Sequence, residues 1–421
     1  MHHFFYQSGE LYCENVRVSR IAAQVGTPFY LYSAATLSHH YRVFDAAFEG
    51  FPHLVCFAVK ANANLAILRL FADLGGGADI VSGGELYRAL QAGVDPGKIV
   101  YSGVGKTPKE IKAALSAGIL LFNMESSQEL GEINRLAGRL QKKARVALRI
   151  NQDIDPKTHP YISTGLKKNK FGIDIERALK DYLRAQELPH LEVVGMACHI
   201  GSKITEVAPF VDALERLKEL MARLKKEGIH IRYLDLGGGL GIQYDREEPP
   251  HPSEYGEKIR EKLKGLEVTL ILEPGRVLVG NAGILVTQVL YTKESEAKHF
   301  IVVDAGMNDL ARPSLYGSYH ALWPVVERRR PFVKASLVGP ICESGDFLAK
   351  DRQMPALQPG ELVAVMSAGA YGFSMSSNYN ARPRVAEILV QDDHFYVIRK
   401  RETYRQLIWG ESIPEFLKGS G

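Results

Sequence analysis

The chain is poor in cysteine, and the four it has, Cys13, Cys56, Cys198 and Cys342, stand far apart with no C-x-x-C pair. Neither a zinc site nor a disulfide framework is indicated, and a reducing cytoplasm is the simplest setting. No apolar run approaches the roughly eighteen residues of a membrane span. The opening Met1-His2-His3-Phe4 lacks a basic stretch followed by an apolar core, so export is not expected. A surplus of one charge is missing too: 52 Lys and Arg face 48 Asp and Glu. The clusters Lys167-Lys168-Asn169-Lys170 and Arg328-Arg329-Arg330 are short and isolated, which suits a solvated face better than a nucleic-acid footprint. Internal repeats and low-complexity tracts are absent. What remains is a globular composition, 46% hydrophobic and 24% charged. At 421 residues the chain exceeds the size of a single hydrophobic core, so two domains are expected.

Short runs rich in Val, Ile and Leu alternate with longer segments of helical period between about residues 54 and 273, the mark of βα units and a parallel sheet. The runs are 54–59, 78–82, 99–102, 120–124, 146–150, 191–199, 233–236 and 269–273, with helices such as 108–117 and 211–225 between them. Eight of them predict a (β/α)8 barrel rather than a doubly wound sheet. After Gly280 the texture becomes strand-like, at 284–291, 300–303, 362–366, 385–390 and 395–398, broken by Pro, Gly and Asp. The chain thus reads as α/β plus all-β, a barrel followed by a β-sandwich or barrel-like domain. Its first thirty or so residues read as short strands and turns suited to pair with that second part.

Barrel active sites lie at the carboxyl ends of the strands, and four motifs fall there. Lys60 follows strand one, His199 closes strand six, Gly237-Gly238-Gly239 follows strand seven and Glu273-Pro274-Gly275-Arg276 follows strand eight. Lys60 emerges from Cys56-Phe57-Ala58-Val59, an apolar wall whose desolvation is expected to lower its pKa and leave it nucleophilic; alone, it reads as readily as a snorkelling strand-end lysine. The three glycines let backbone N–H groups approach an anion, with Gly275 and Arg276 able to complete the cradle, or they are simply a flexible turn. They do not fit a dinucleotide fingerprint, since Ile242 stands where the third glycine belongs. Glu273 could meet a protonated pyridine nitrogen or pair with Arg276. His199 could lie on a cofactor ring, shuttle a proton or be a hydrogen-bonded structural residue.

Six motifs recur in order along nearly the whole chain: Phe57-Ala58-Val59-Lys60-Ala61-Asn62, Asp79-Ile80-Val81-Ser82-Gly83-Gly84-Glu85, His199-Ile200-Gly201-Ser202, Asp235-Leu236-Gly237-Gly238-Gly239, Glu273-Pro274-Gly275-Arg276 and Cys342-Glu343-Ser344. In these the chain resembles the alanine-racemase-like, fold-type III pyridoxal-phosphate decarboxylases. The resemblance implies a barrel over 36–281, a β-domain made from 1–35 and 282–421, and a head-to-tail homodimer whose active sites are completed across the interface. It implies pyridoxal 5'-phosphate held covalently by Lys60, with Glu273 at the pyridine nitrogen and His199 against the ring. Gly238, Gly239, Gly275, Arg276 and Tyr371 then surround the phosphate end. Cys342 takes the place of the family's proton donor, delivered from the other subunit.

Within that group, Asn308-Asp309-Leu310-Ala311-Arg312-Pro313-Ser314-Leu315-Tyr316 and Cys342-Glu343-Ser344-Gly345-Asp346 resemble the branch acting on diaminopimelate. By that likeness Arg276, Arg312 and Tyr316, near Tyr371, receive the distal carboxylate and Glu343 the distal ammonium. A guanidinium fork matches a carboxylate. A substrate without that carboxylate forfeits about 3–5 kcal/mol, as when a buried ion pair is broken. Lys203 departs from the glutamine of many relatives, which leaves the ring contact intact and alters local charge. The segment Pro160-Tyr161-Ile162-Ser163-Thr164-Gly165 has the glycine and polar residues of a closing lid. Competing readings are a racemase, which needs acid–base groups on both faces of the bound substrate, and a decarboxylase of ornithine, arginine or a carrier-bound amino acid. Different in class are a non-catalytic pyridoxal-phosphate-binding relative and a phosphate-binding barrel without that cofactor.

Overall fold

In the computed structural model, residues 2–153, 169–295 and 298–418 are described, and the 160–165 segment lies outside them. The chain divides into two compact units. One comprises Met1–His3, Ala34–Gly283 and Gly369–Ser374, the other Phe4–Ser33, Ile284–Ala368 and Met375–Gly421.

In the first unit eight parallel strands form a closed barrel: β1 (His53–Ala58), β2 (Gly77–Ile80), β3 (Ile99–Tyr101), β4 (Leu121–Met124), β5 (Ala144–Asn151), β6 (Leu191–Ala197), β7 (Tyr233–Asp235) and β8 (Thr269–Leu272). Closure comes from β8 pairing with β1, Leu270 opposite His53 and Leu272 opposite Val55. Cys56, Val100, Leu121, Ala147, Val194 and Ile271 share a buried core. The intervening helices begin where the sequence supplies caps. Thr107 and Glu110 form a reciprocal capping box, Pro108 fills the first helical position, and Gly118 ends helix Pro108–Ala117 with a φ of 73°. Among the described residues no helix is long and apolar enough to cross a membrane.

The second unit is built around the long strand Gly283–Glu294, antiparallel to both His299–Val303 and Leu362–Val365. Phe332–Val338 runs parallel to His299–Val303 and takes Phe347–Pro355 on its other side. Ala386–Gln391 lies parallel to the N-terminal strand Phe29–Ser33 and antiparallel to His394–Arg399. Both ends of the chain therefore share one sheet, and Leu11, Ile21 and Phe29 pack in one core with Ile284, Val286, Ile388 and Val390.

Departures from the sequence pattern include a helix and two longer strands. Val18–Val25 is an α-helix rather than strand or turn, because Val18, Ile21 and Ala22 fall at helical spacing and bury a single face. The pattern also omits strands Phe332–Val338 and Phe347–Pro355. Burial in the first is confined to three consecutive residues, 335–337, and Lys350 and Asp351 expose the middle of the second, so neither shows strand alternation.

Candidate active site

The first motif folds as strand end, turn and cap in succession. Ala58, the last residue of β1, donates its N–H to Pro274 O at 3.0 Å. Val59–Ala61 makes a single 3-10 turn. Asn62 Oδ1 accepts the Asn64 N–H at 3.1 Å, and Asn64 caps helix Leu65–Asp73 through the Ala66 N–H at 3.0 Å. Lys60 is thereby held at the barrel mouth with 34% of its side chain exposed, ion-paired to the wholly buried carboxylate of Asp79 on β2. Desolvation pulls the ammonium pKa down, but Asp79, Glu273 and Tyr371 more than reverse this, and the net shift is upward. This corrects the expectation of a lowered pKa. The apolar wall of Cys56, Phe57, Ala58 and Val59 is present and buried, yet the negative groups beyond it dominate.

Glu273 directly follows β8 and is buried. Its Oε1 accepts from Ser102 Oγ at 3.2 Å and from Asn123 Nδ2 at 3.4 Å, while Asn123 Nδ2 also donates to Asp235 Oδ2 at 2.8 Å. Burial pushes the Asp235 carboxyl up to about 6, against hydrogen bonds from Asn123 and Gly237 that lower it. Burial, then Asp235 and Asp79, push Glu273 well above the usual carboxylate range. Two carboxyls hydrogen-bonded to each other in one dry site retain a proton between them. The alternative partner, Arg276, turns elsewhere: it donates to Tyr244 Oη at 2.7 Å and Ser202 Oγ at 3.1 Å, and lies 4.9 Å from the Tyr371 ring centre.

The glycine run is required by close approach. A Cβ on Gly238 would stand 2.1 Å from Glu273 O, and one on Gly239, where φ is 124°, 2.5 Å from Gly201 O. With no side chain in the way, the Glu273 N–H reaches Gly237 O at 2.8 Å. The Gly238 N–H donates to His199 Nδ1 at 3.1 Å, which leaves the ring hydrogen on Nε2. His199 lies two residues beyond β6 and is half-buried. Desolvation, with the cations Arg149 and Lys60, holds its pKa well below the ordinary value, so the ring is neutral. Tyr371 joins this unit from the distant segment Gly369–Ser374, its N–H donating to Ala61 O at 2.8 Å. Its hydroxyl would lie 3.5 Å from a Cβ on Gly275.

The remaining expected residues belong to the second unit. Arg312 and Tyr316 begin and end the helix Arg312–Tyr316. Cys342 and Glu343 sit exposed on the turn 341–346. Asp346 staples that turn, its Oδ2 accepting the Ile341 N–H and its Oδ1 the Met307 N–H, each at 2.6 Å. Ser314 Oγ donates to Gly345 O at 2.5 Å and ties the helix to the turn. The Cys342 N–H donates to Asn380 Oδ1 at 2.8 Å, and Glu343 is hydrogen-bonded to Tyr379. Arg312, unlike Cys342 and Glu343, is buried, at only 1% exposed.

Sequence reasoning gave no role to Asp79, Ser102, Asn123 or Asp235. Three of them carried a readable signal, one polar residue between apolar neighbours within a barrel strand: Ala78-Asp79-Ile80, Phe122-Asn123-Met124 and Leu234-Asp235-Leu236. The barrel residues fit pyridoxal phosphate. They present an amine for its aldehyde, a buried carboxyl pair for its ring nitrogen, a neutral imidazole and a glycine turn with no side chains to obstruct an anion. Asp79 Oδ1 is buried with no hydrogen-bond partner among the described residues, an acceptor a ligand can satisfy.

Residues 34–280 match the family described as pyridoxal-dependent decarboxylase, pyridoxal binding domain. The chain is 55% identical to the diaminopimelate decarboxylase of Pseudomonas aeruginosa over 410 residues, 97% of this chain and 99% of that one. Among solved structures, diaminopimelate decarboxylase from Helicobacter pylori complexed with L-lysine is 45% identical with a TM-score of 0.90, covering 93% of this chain and 98% of that one. The one from M. jannaschii in co-complex with L-lysine is 40% identical with a TM-score of 0.94, covering 98% of each. With kinship this close over nearly its full length, the chain belongs to the diaminopimelate decarboxylases, within the pyridoxal-dependent decarboxylase family.

Proposed function

We propose that the chain decarboxylates meso-2,6-diaminopimelate to L-lysine and carbon dioxide, the last step of lysine biosynthesis, with the barrel mouth as the catalytic centre. The observation that carries this reading is the convergence at one rim of Lys60 with Asp79, the Glu273–Asp235 pair, and the Gly237–Gly239 turn bonded to His199. Bound there, pyridoxal phosphate supplies an electron sink for the charge left on the α-carbon when the carboxylate departs. Lys60 is the residue to hold it covalently. Because Asp79 keeps Lys60 as an ammonium, bonding to an aldehyde requires the proton to leave Nζ first, and Asp79 is the acceptor in contact. Glu273 would meet the ring nitrogen, and the proton it shares with Asp235 is the one it could give to that nitrogen. His199 offers a neutral face to the ring. Gly238, Gly239, Gly275, Arg276 and Tyr371 are the phosphate-end residues.

Cys342 is the proton donor to the α-carbon in this reading, presented by the turn of a second copy in a homodimer. Arg276, Arg312 and Tyr316 receive the distal carboxylate and Glu343 the distal ammonium, with Tyr371 a further substrate contact. Four free cysteines suit a reducing cytoplasm, where the Cys342 thiol persists. The test is carbon dioxide release from diaminopimelate, ornithine, arginine and lysine. Preference for diaminopimelate by about 100-fold or more is expected from the lost arginine–carboxylate contacts. Faster turnover of a substrate with no distal carboxylate overturns the reading.

A further inference from the structure

The helix Arg312–Tyr316 ends at Gly317, whose φ of 59° reverses the chain and brings Ser318 and His320 back to the guanidinium at the helix start. Arg312 Nη2 donates to Ser318 Oγ at 3.3 Å, and Arg312 Nη1 lies 3.0 Å from His320 Nε2. Arginine has donors only and stays charged at every accessible pH. His320 Nε2 is therefore the acceptor, and the ring hydrogen sits on Nδ1, 2.8 Å from Met366 O. One tautomer of the neutral ring satisfies both contacts. The imidazolium, or the other tautomer, would set N–H against N–H.

The ring's own position is fixed from several sides. The Met366 N–H donates to Ala321 O at 2.8 Å, extending the antiparallel ladder of Leu322–Pro324 with Leu362–Val365. Arg352 Nη2 donates to His320 O at 2.7 Å. Arg312 and His320 are 1% and 0% exposed, so removing the Nε2 acceptor takes a hydrogen bond from a guanidinium in a desolvated setting.

We propose that His320 is a positioning residue: neutral and locked by Met366, it aims the Arg312 guanidinium and so sets the preference for a substrate with a distal carboxylate. This rests on Arg312 as the receiver of that carboxylate. His320 touches neither substrate nor cofactor in this assignment. Its effect falls on recognition of one end of the substrate, not on the bond that breaks.

The test uses the cofactor-loaded enzyme and compares Arg312→Lys, His320→Phe and His320→Gln on diaminopimelate and on lysine. His320→Phe keeps a ring but removes the acceptor, and is expected to raise KM for diaminopimelate about 10- to 100-fold while kcat and the slow reaction with lysine stay within about threefold. His320→Gln places an amide oxygen where Nε2 stood and is expected to restore KM to within about threefold of wild type. An unchanged KM in Arg312→Lys sinks the assignment of the carboxylate site itself. A raised KM in Arg312→Lys with an unchanged KM in His320→Phe sinks the positioning role alone, as does failure of His320→Gln to restore it. Should His320→Phe not fold, nitrogen-15 NMR of the wild-type enzyme decides: protonated Nδ1 with bare Nε2 supports the proposal, and the opposite tautomer or an imidazolium overturns it.

Discussion

In the barrel mouth the ionisable groups themselves are buried: Asp79, Asp235 and Glu273 lie at most 6% exposed and bond to one another or to Lys60. The turn 341–346 does the reverse, leaving Cys342 and Glu343 in solvent and burying Asp346, which holds them in place. Burial in the barrel displaces proton affinities, since each charge removed from water costs free energy unless a partner offsets it. Burial of Asp346 in the second unit fixes the turn that carries the exposed Cys342 and Glu343. Substitutions in the two regions should therefore fail differently, the first in cofactor binding and pH dependence, the second in turnover with the cofactor in place.

The sharpest break of that comparison is Lys60→Ala, expected to lower turnover by roughly 10³-fold or more and to abolish covalent retention of cofactor. Mass spectrometry after hydride reduction checks it, and protein still carrying the cofactor at another residue would remove Lys60 from its place. Next is Cys342→Ala, expected to lower kcat by about 10²–10⁴-fold, the range of a lost general acid. The cofactor absorbance should be unaltered, and a changed spectrum would erase the contrast between the regions.

The third prediction is a stability effect. Folded Asp235 keeps its proton up to about 6 instead of the ordinary 3.8, so its contribution to stability is full below the lower value and is lost as pH rises through the higher. Asp235→Asn carries no such loss. Relative to wild type, the cofactor-free variant should gain stability between about pH 4 and pH 7, read from urea unfolding at each pH. A difference independent of pH would mean that Asp235 ionises normally in the fold.

Much of the barrel was legible because its strands are short apolar runs between capped helices, and Pro108–Ala117 starts and stops where Thr107, Pro108 and Gly118 predict. Lys60, His199, Glu273 and the glycines were legible as polar or bare positions at strand ends. Their electrostatics were not. The pKa of Lys60 depends on Asp79, nineteen residues away, and on Glu273 at the end of the adjacent strand β8, partners that no local window reveals. Tyr371 was named by resemblance, but its entry into the barrel unit rests on Gly369–Ser374 returning from far along the chain, as in the Asn62 Nδ2 bond to Gly369 O at 3.2 Å. Edge strand Phe347–Pro355 escaped notice for another reason, since charge exposed in its middle hides the alternation that marks a strand.

The pairing of Phe29–Ser33 with Ala386–Gln391 sets a timetable for synthesis. Phe29 lies opposite Ala386, so 357 residues separate the partners along the chain. At ribosomal speeds of about 5–20 residues per second, the first strand waits on the order of 20 to 70 s for its neighbour to be made. All of the barrel's sequence to Gly283 is translated within that interval. The barrel can thus fold as a finished insert while the sheet that joins the two ends of the chain still has an open edge. A nascent chain released before Gln391 would keep that edge exposed, where it can pair with the edge of another chain.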